Sequence, residues 1–315
     1  MSPAKPAVSL DSLPNEVFVE TLSDFSTREL LPLISVNHRF HALVLRILHY
    51  RLLLSTPLKE YTLLLECFHP SSKLTEPHVF CKYLGTDGLT DRHDGAGSLY
   101  EDVNTAQQLG RVTGLYSRFR PEASRDEEDE QRGDNAHLGL SQGAEKESAV
   151  IREFTIDGYE DFSQLCVVAN LVQVRPGTSL LLSASTIEDG FVRLWRDWLH
   201  RQSRKMEKAT ETAREEGSAN VSVSSSSDDI LWVDTGKTVG LKMRVRPKAW
   251  NPSFPILIHQ DDRDDNAWVG YEVILEELHI RSTRLLLVVE QAKEEQEMHQ
   301  SNAIVIGAPT PALLA

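Results

Sequence analysis

The period at which apolar residues recur changes near residue 55, and this change constrains the fold more than any other feature of the chain. From about Ser9 to Ser55 they return every three or four positions, the spacing of one face of a helix. Beyond that point they alternate, or run together over lengths typical of strands. The stretches that predict strands are Tyr61 to Cys67, Val79 to Tyr83, Ile151 to Ile156, Leu165 to Val174, Ser179 to Ala184 and Ile230 to Val233. Val239 to Val245, Ile256 to Ile258, Tyr271 to Ile280 and Leu285 to Glu290 complete the set. Many short strands, few helices and no fixed repeat predict a sandwich or partial barrel rather than a propeller or leucine-rich solenoid. The expected fold class is α+β: a three-helix domain over 9–55, then a mainly antiparallel, β-sandwich-like domain over 56–315.

Two stretches break the globular texture and are expected to be disordered insertions. One covers 118–148 and contains Pro121 and the acidic run from Asp126 to Glu130. The other covers 202–229, charged at its start (Arg204, Lys205, Glu207, Lys208) and ending in four serines before Asp228 and Asp229. Neither offers enough apolar surface to offset the entropy of ordering the chain.

Charge narrows the function classes. A formal charge of −14 argues against nucleic acid as a partner, since phosphate binding needs a basic footprint. The longest apolar runs, such as Leu285 to Val289, fall far short of the roughly 20 residues that cross a bilayer, so no membrane partner is expected. Three cysteines without metal spacing and an N-terminus unlike a secretory leader point to a reduced compartment, cytoplasm or nucleus.

The helical block can be read closely. Pro14 suits a first turn, and Val17, Phe18, Thr21 and Leu22 lie on neighbouring faces of a helix ending near Phe25. Ser26-Thr27-Arg28-Glu29 has the form of a capping box and opens a second helix with Leu30, Leu31, Leu33 and Ile34. Pro32 would ordinarily interrupt that helix. Asn37 can start a third, carrying Phe40, Leu43, Val44, Ile47 and Leu48. These helices carry more large apolar groups than one inward face each requires. The surplus either meets a partner or packs on the chain's own β domain. Each such side chain taken from water contributes roughly 1.5 to 3 kcal/mol, so four or five can sustain an interface.

The string Leu13-Pro14-Asn15-Glu16-Val17-Phe18, then Leu22, then Ser26 opening a helix with Leu30, then Ser35-Val36-Asn37-His38-Arg39-Phe40, resembles the F-box from end to end. The likeness spans about Leu10 to Arg51. It implies an intracellular adaptor that docks on a Skp-family linker protein and, through it, on the cullin scaffold of a ubiquitin ligase. The docking residues it implies are Leu13, Pro14, Glu16, Val17, Phe18, Leu22, Leu30, Leu33, Val36, Arg39 and Phe40. Phe40 stands where Trp is usual, and Asn37 and His38 replace the common Cys and Lys or Ser. The remainder resembles fungal-type F-box proteins with a single β-rich region, through Tyr61 to Pro70, Phe80 to Gly85 and Asp189 to Leu199. A more distant likeness, to plant F-box proteins with a phloem-lectin sandwich, rests on Tyr271 to Ile280 and Leu285 to Glu290. Such an adaptor would bind an unknown target protein through the β-rich domain and needs no chemistry of its own, because the scaffold supplies proximity. The alternatives are a β-sandwich module that binds a small ligand or glycan, and an F-box protein acting outside a ligase.

Four further motifs admit two readings each. Phe191, Leu194, Trp195, Trp198 and Leu199 have the spacing of an amphipathic helix, one that either anchors a partner or closes the end of a sandwich. Asp261, Asp262, Asp264 and Asp265 form either an oxygen-rich Ca²⁺ loop or a solvated turn balanced by Arg263. The serines 224–227 are either an acceptor for an acid-directed kinase or a plain linker. Cys67 and His69 would share a strand face, but no third group completes a triad and a core cysteine is the simpler assignment. The phosphate-binding loop, nucleophile elbow and zinc-helix motifs are missing from the sequence, so neither a catalytic residue nor a cofactor or metal is expected.

Overall fold

A computed structural model describes residues 13–73, 76–89, 112–123, 149–156, 160–174, 181–216, 230–248 and 269–301. Among the described residues, helices come first and last, with a large antiparallel sheet between them. Three helices come first: α1 (Asn15–Ser23), α2 (Thr27–Leu33) and α3 (His38–Ser55). Nine strands follow: β1 (Thr62–Phe68), β2 (Val79–Thr86), β3 (Tyr116–Glu122), β4 (Val150–Ile156), β5 (Phe162–Val174), β6 (Leu181–Trp195), β7 (Ile230–Trp232), β8 (Val239–Pro247) and β9 (Val269–Arg281). Helix α4 (Arg196–Glu216) lies between β6 and β7, and α5 (Ser282–Ser301) follows β9.

The local signals account for the first helices. Pro14 precedes α1 as its N-cap. At α2 the Ser26 backbone N–H donates to the Glu29 carboxylate at 2.8 Å, and the Ser26 hydroxyl donates to the same oxygen at 3.0 Å. These bonds hold the Glu29 carboxyl below its ordinary range. Asn37 caps α3 by accepting the Phe40 N–H at 2.8 Å. Pro32 sits in the last turn of α2, which ends at Leu33 with Ile34 as its C-cap, so the proline shortens the helix rather than kinking it.

The strands form one continuous sheet in the order β6-β5-β1-β2-β3-β9-β8-β7, rather than the two stacked sheets of a sandwich. One edge of β9 pairs with β8, while the other takes β3 at Leu278–Arg281 and then β4 along Val269–Leu275. The sheet curls until its ends nearly meet: a Cβ built on Gly190 of β6 would lie 2.6 Å from the Val233 side chain just after β7. The core is the inside of this near-barrel, where Leu63, Leu65, Phe119, Leu165, Leu171, Ile187, Leu241, Val273 and Leu278 are buried together. A second cluster, among α1, α2 and α3, holds Phe18, Val19, Leu22, Leu30, Leu43, Val44, Ile47 and Leu52, and it also takes in Val112 and Leu286.

Several elements differ from the sequence expectation. Leu285 to Glu290 is the first half of α5, not a strand. Its apolar run faces two cores at once, with Leu285, Val288, Val289 and Ala292 in the barrel cluster and Leu286 in the helical one, and such a run shows no clean period. Residues 118–122, expected to open an insertion, belong to β3: Phe119 is fully buried, and Pro121 lies past the last β3–β9 pair, where β3 has one partner only. Residues 202–216, also read as an insertion, belong to α4. Its Arg, Lys, Glu and Ala content is that of a good helix former, and Leu199 and Ser203 turn one face inward. The rest of both expected insertions, the strand at 256–258, the acidic run at 261–265 and the serines 224–227 lie outside the described residues.

A buried arginine closes the gap that β4 leaves against β1 and β2. Arg152, only 5% exposed, donates from Nε to the Cys67 carbonyl at 2.8 Å and from Nη2 to the Pro77 carbonyl at 3.0 Å. The Glu76 carboxylate lies 3.6 Å from its Nε, and burial raises the Glu76 pKa above its ordinary value. Arg152→Ala would leave these acceptors unmatched, and the expected loss is about 3–5 kcal/mol, read from urea unfolding midpoints.

The outer face of β3, β8 and β9 is charged. Glu277 Oε2 lies 3.2 Å from His279 Nε2 and 3.8 Å from Arg118, and Glu277 Oε1 lies 3.5 Å from Lys242. The His279 hydrogen bond above all, then Lys242 and Arg118, hold the Glu277 pKa down to about 2 against an ordinary 4.5. A depressed folded pKa means the unfolded chain takes up the proton first. This contribution to stability is therefore complete above pH 4.5 and is lost as pH falls toward 2. In Glu277→Gln, the plot of unfolding midpoint against pH is expected to flatten within that window.

Candidate partner-docking site

The residues expected to dock a partner divide into two groups. Phe18, Leu22 and Leu30 are buried in the core of the helical block, with Leu33 and Phe40 half-buried against it. Pro14, Glu16, Val17 and Val36 are exposed. The division follows from geometry: the first group lies on the inward faces of α1 and α2, and the second lies on the outward side or in the link to α3.

Leu13, Phe18, Arg39 and Phe40 are brought together by one guanidinium. Arg39 Nε donates to Asn15 Oδ1 at 2.9 Å, and its Nη2 donates to the Leu13 carbonyl. Its Cζ lies 4.7 Å from the Phe18 ring centroid, and Phe18 meets Phe40 edge-on at 5.4 Å. Arg39 thus pins the start of α1 to the start of α3, and here it serves the block itself.

What is left over is apolar and exposed. Val17 on α1 is 41% exposed, Phe25 in the turn 42%, Leu31 on α2 46% and Val36 before α3 59%. Isolated exposed apolar residues are ordinary, but these four fall within residues 17–36, on the same helices that supply the buried helical cluster. Phe25 and Leu31 were not among the expected docking residues. The signal for Leu31 was the adjacent pair Leu30-Leu31, because a two-turn helix cannot bury both on one face.

A polar knot fixes the block to the rest of the protein. Glu290 of α5 accepts the Thr27 N–H at 3.0 Å and the Thr27 hydroxyl at 2.7 Å, and its Oε1 lies 3.1 Å from Arg51 Nη1. Arg51 also donates to the carbonyls of Ser23, at 3.1 Å, and Phe25. One carboxylate and one guanidinium thereby join α1, α2, α3 and α5. Below the knot, hydroxyls form a chain from Tyr83 to Thr86 (2.8 Å), Ser117 (2.9 Å) and Ser282 (2.8 Å), seating the first residue of α5 on β3.

The tryptophan-rich segment is not one helix. Phe191 to Trp195 completes β6, so alternation decides its faces: Val192 and Leu194 are buried, while Phe191, Arg193 and Trp195 point outward. Helix α4 begins at Arg196 and turns Trp198 and Leu199 toward the core. Cross-strand pairing with β5, from Phe162↔Trp195 to Val174↔Leu181, overrides the helical spacing. On the outer face Phe162 and Trp195 pack at 5.0 Å, and the Arg193 guanidinium lies 5.4 Å from Phe162 and 5.7 Å from Phe191.

Cys67 and Cys81 are core thiols, not exposed nucleophiles. Burial pushes the Cys67 thiol up to about 12 and raises Cys81 further, which keeps both protonated. His69 does not share a strand face with Cys67: β1 ends at Phe68, and the His69 ring contacts Ser71 at 2.6 Å. Among the described residues no group of three His, Cys, Asp or Glu is placed to hold a metal ion, and no helix is long and apolar enough to cross a membrane. Comparison with known proteins gave no matching family model, no matching curated protein and no matching solved structure.

Glu290 and Arg51 are both less than a quarter exposed, so their coupling should survive solvent screening. A double-mutant cycle of Arg51→Ala and Glu290→Ala, followed by urea unfolding, is expected to give about 1–3 kcal/mol of coupling.

Proposed function

We propose that this chain is an F-box-type adaptor whose α1–α3 block docks on a Skp-family linker protein, and through it on a cullin scaffold, while the β-rich region selects a target protein. The observation that carries the reading is the exposed apolar set Val17, Phe25, Leu31 and Val36 beside a filled helical core. Together with the F-box-like order of residues 13–40, it supports a docking surface formed by α1, α2 and the link to α3. Burying four such groups contributes on the order of several kcal/mol, enough to offset the association entropy of a micromolar complex.

A second reading has its own support: Leu286 lies within the helical cluster and Glu290 anchors Thr27 and Arg51, as a cap on the chain's own domain would require. The two are compatible, because the anchoring contacts of Glu290, Arg51 and Leu286 use none of the exposed apolar side chains, Phe25 contributing only its backbone carbonyl. An adaptor acting outside a ligase would use the same surface without recruiting cullin.

The test is titration of the full chain against a purified Skp-family protein. Val17→Asp with Leu31→Asp alters only exposed positions, so the fold should persist with an unchanged unfolding midpoint. Binding in the micromolar range or tighter by the parent chain, lowered at least about a hundredfold in the double variant, is the expected result. No binding by the parent chain would leave the cap as the sole role of these helices.

A further inference from the structure

The outer edge of β6 changes character at residue 187. Beyond it the edge is guarded: Arg284 of α5 donates from Nε and Nη2 to the Ile187 carbonyl at 3.2 and 3.0 Å, and Gly190 abuts Val233 at the near-closure of the sheet. Before it, from Leu181 to Thr186, the strand pairs with β5 alone. Among the described residues no backbone group pairs with its outer edge. The side chains of Ser183 and Thr186 are engaged with Gln296 and Asn170 respectively, so among the described residues neither side chain nor backbone covers the edge.

The sequence of this edge, Leu181-Leu182-Ser183-Ala184-Ser185-Thr186, carries little protection against strand addition beyond the register shifts at Leu182 and Ile187. It has no lysine, no proline and no charge, and Leu181 and Leu182 are 44% and 54% exposed. Carboxylates lie just past its far end. Glu188 and Asp189 follow in the same strand, and Glu188 is pushed up first by burial and then by Asp234 beside it, against the single opposing charge of Arg284. A free uncharged edge ending in excess negative charge calls for an extended strand with a cation near one end.

We propose that the Leu181–Thr186 edge of β6 is a docking site for an extended peptide segment of a partner protein. The peptide adds as a further strand, with apolar residues at alternate positions beside Leu182 and a lysine or arginine near Glu188 and Asp189. Main-chain hydrogen bonds supply affinity, and the flanking leucine and carboxylates set register and preference. A second copy of this chain is the poorer occupant, because two bodies of formal charge −14 repel one another. The proposal rests on the reading that the β region selects a partner, and not on the docking of α1–α3.

The experiment selects binders to the full chain from a displayed library of random linear peptides. Amide hydrogen exchange is then followed with and without the selected peptide. In the free chain one half of the amides of 181–186 should exchange freely, and the peptide should slow them. Ala184→Lys, which adds an edge charge at an exposed position, should weaken peptide binding about tenfold or more while leaving capture of the Skp-family protein unchanged. The proposal is overturned by amides at 181–186 all protected before peptide is added, by selected peptides that protect another segment and ignore Ala184→Lys, or by no peptide selected at all. A dimer in light scattering that Ala184→Lys dissolves would assign the edge to a second copy and equally refute it. Loss of Skp-family binding with peptide binding intact would instead count against the adaptor reading alone.

Discussion

Helix α5 is buried from two directions, and the architecture depends on it. Leu285, Val288, Val289 and Ala292 complete the inside of the near-barrel, while Leu286 enters the core of the helical block. Three short helices of this size are marginal on their own, and a strongly curled sheet leaves an open end that must be covered. One helix meets both needs. Because it is packed on each side and held by Glu290 to Thr27 and Arg51, the helical block has a defined attitude toward the sheet. For the adaptor role proposed above such a joint matters, since effective concentration falls when the connection is loose.

Much of the fold was legible because two periods are hard to confuse over long segments. The capping residues Ser26 and Asn37 and the alternation in β1, β2, β4, β5, β8 and β9 pointed to the correct elements. Legibility failed where a residue's surroundings were not its sequence neighbours. The Leu285–Val289 run lost its period because two different cores claim it. The Phe191–Leu199 pattern straddles a strand-to-helix junction, and the partner that resolves it is β5. Residues 118–122 were read with the acidic run that follows them, although Phe119 answers to Leu278 on a distant strand.

The candidate site shows the same division. The order of residues 13–40 suggested which positions matter, but not which of them face inward. Phe18, Leu22 and Leu30 build the core on which Val17 and Leu31 are displayed, and Arg39 is occupied with Asn15 and Leu13. A sequence pattern of this kind mixes residues that build the core with residues that stay on the surface, and spacing alone does not separate them. Elsewhere the protein keeps its surfaces chemically distinct. The face of β3, β8 and β9 is a lattice of ion pairs, whereas β5 and β6 present Phe162, Phe191 and Trp195 around a single arginine.

The meeting of β6 with the turn after β7 gives the cylinder an unusual fastening. Gly190 leaves space for Val233, and the two sheet ends are joined there by fit rather than by a hydrogen-bonded ladder. Fit of this kind has a short reach: dispersion weakens steeply over a fraction of an ångström, while a ladder yields one rung at a time. The wall is therefore a split ring whose seam is held by side-chain fit, and helix α4, which leaves β6 at Arg196 and packs on β8, spans it.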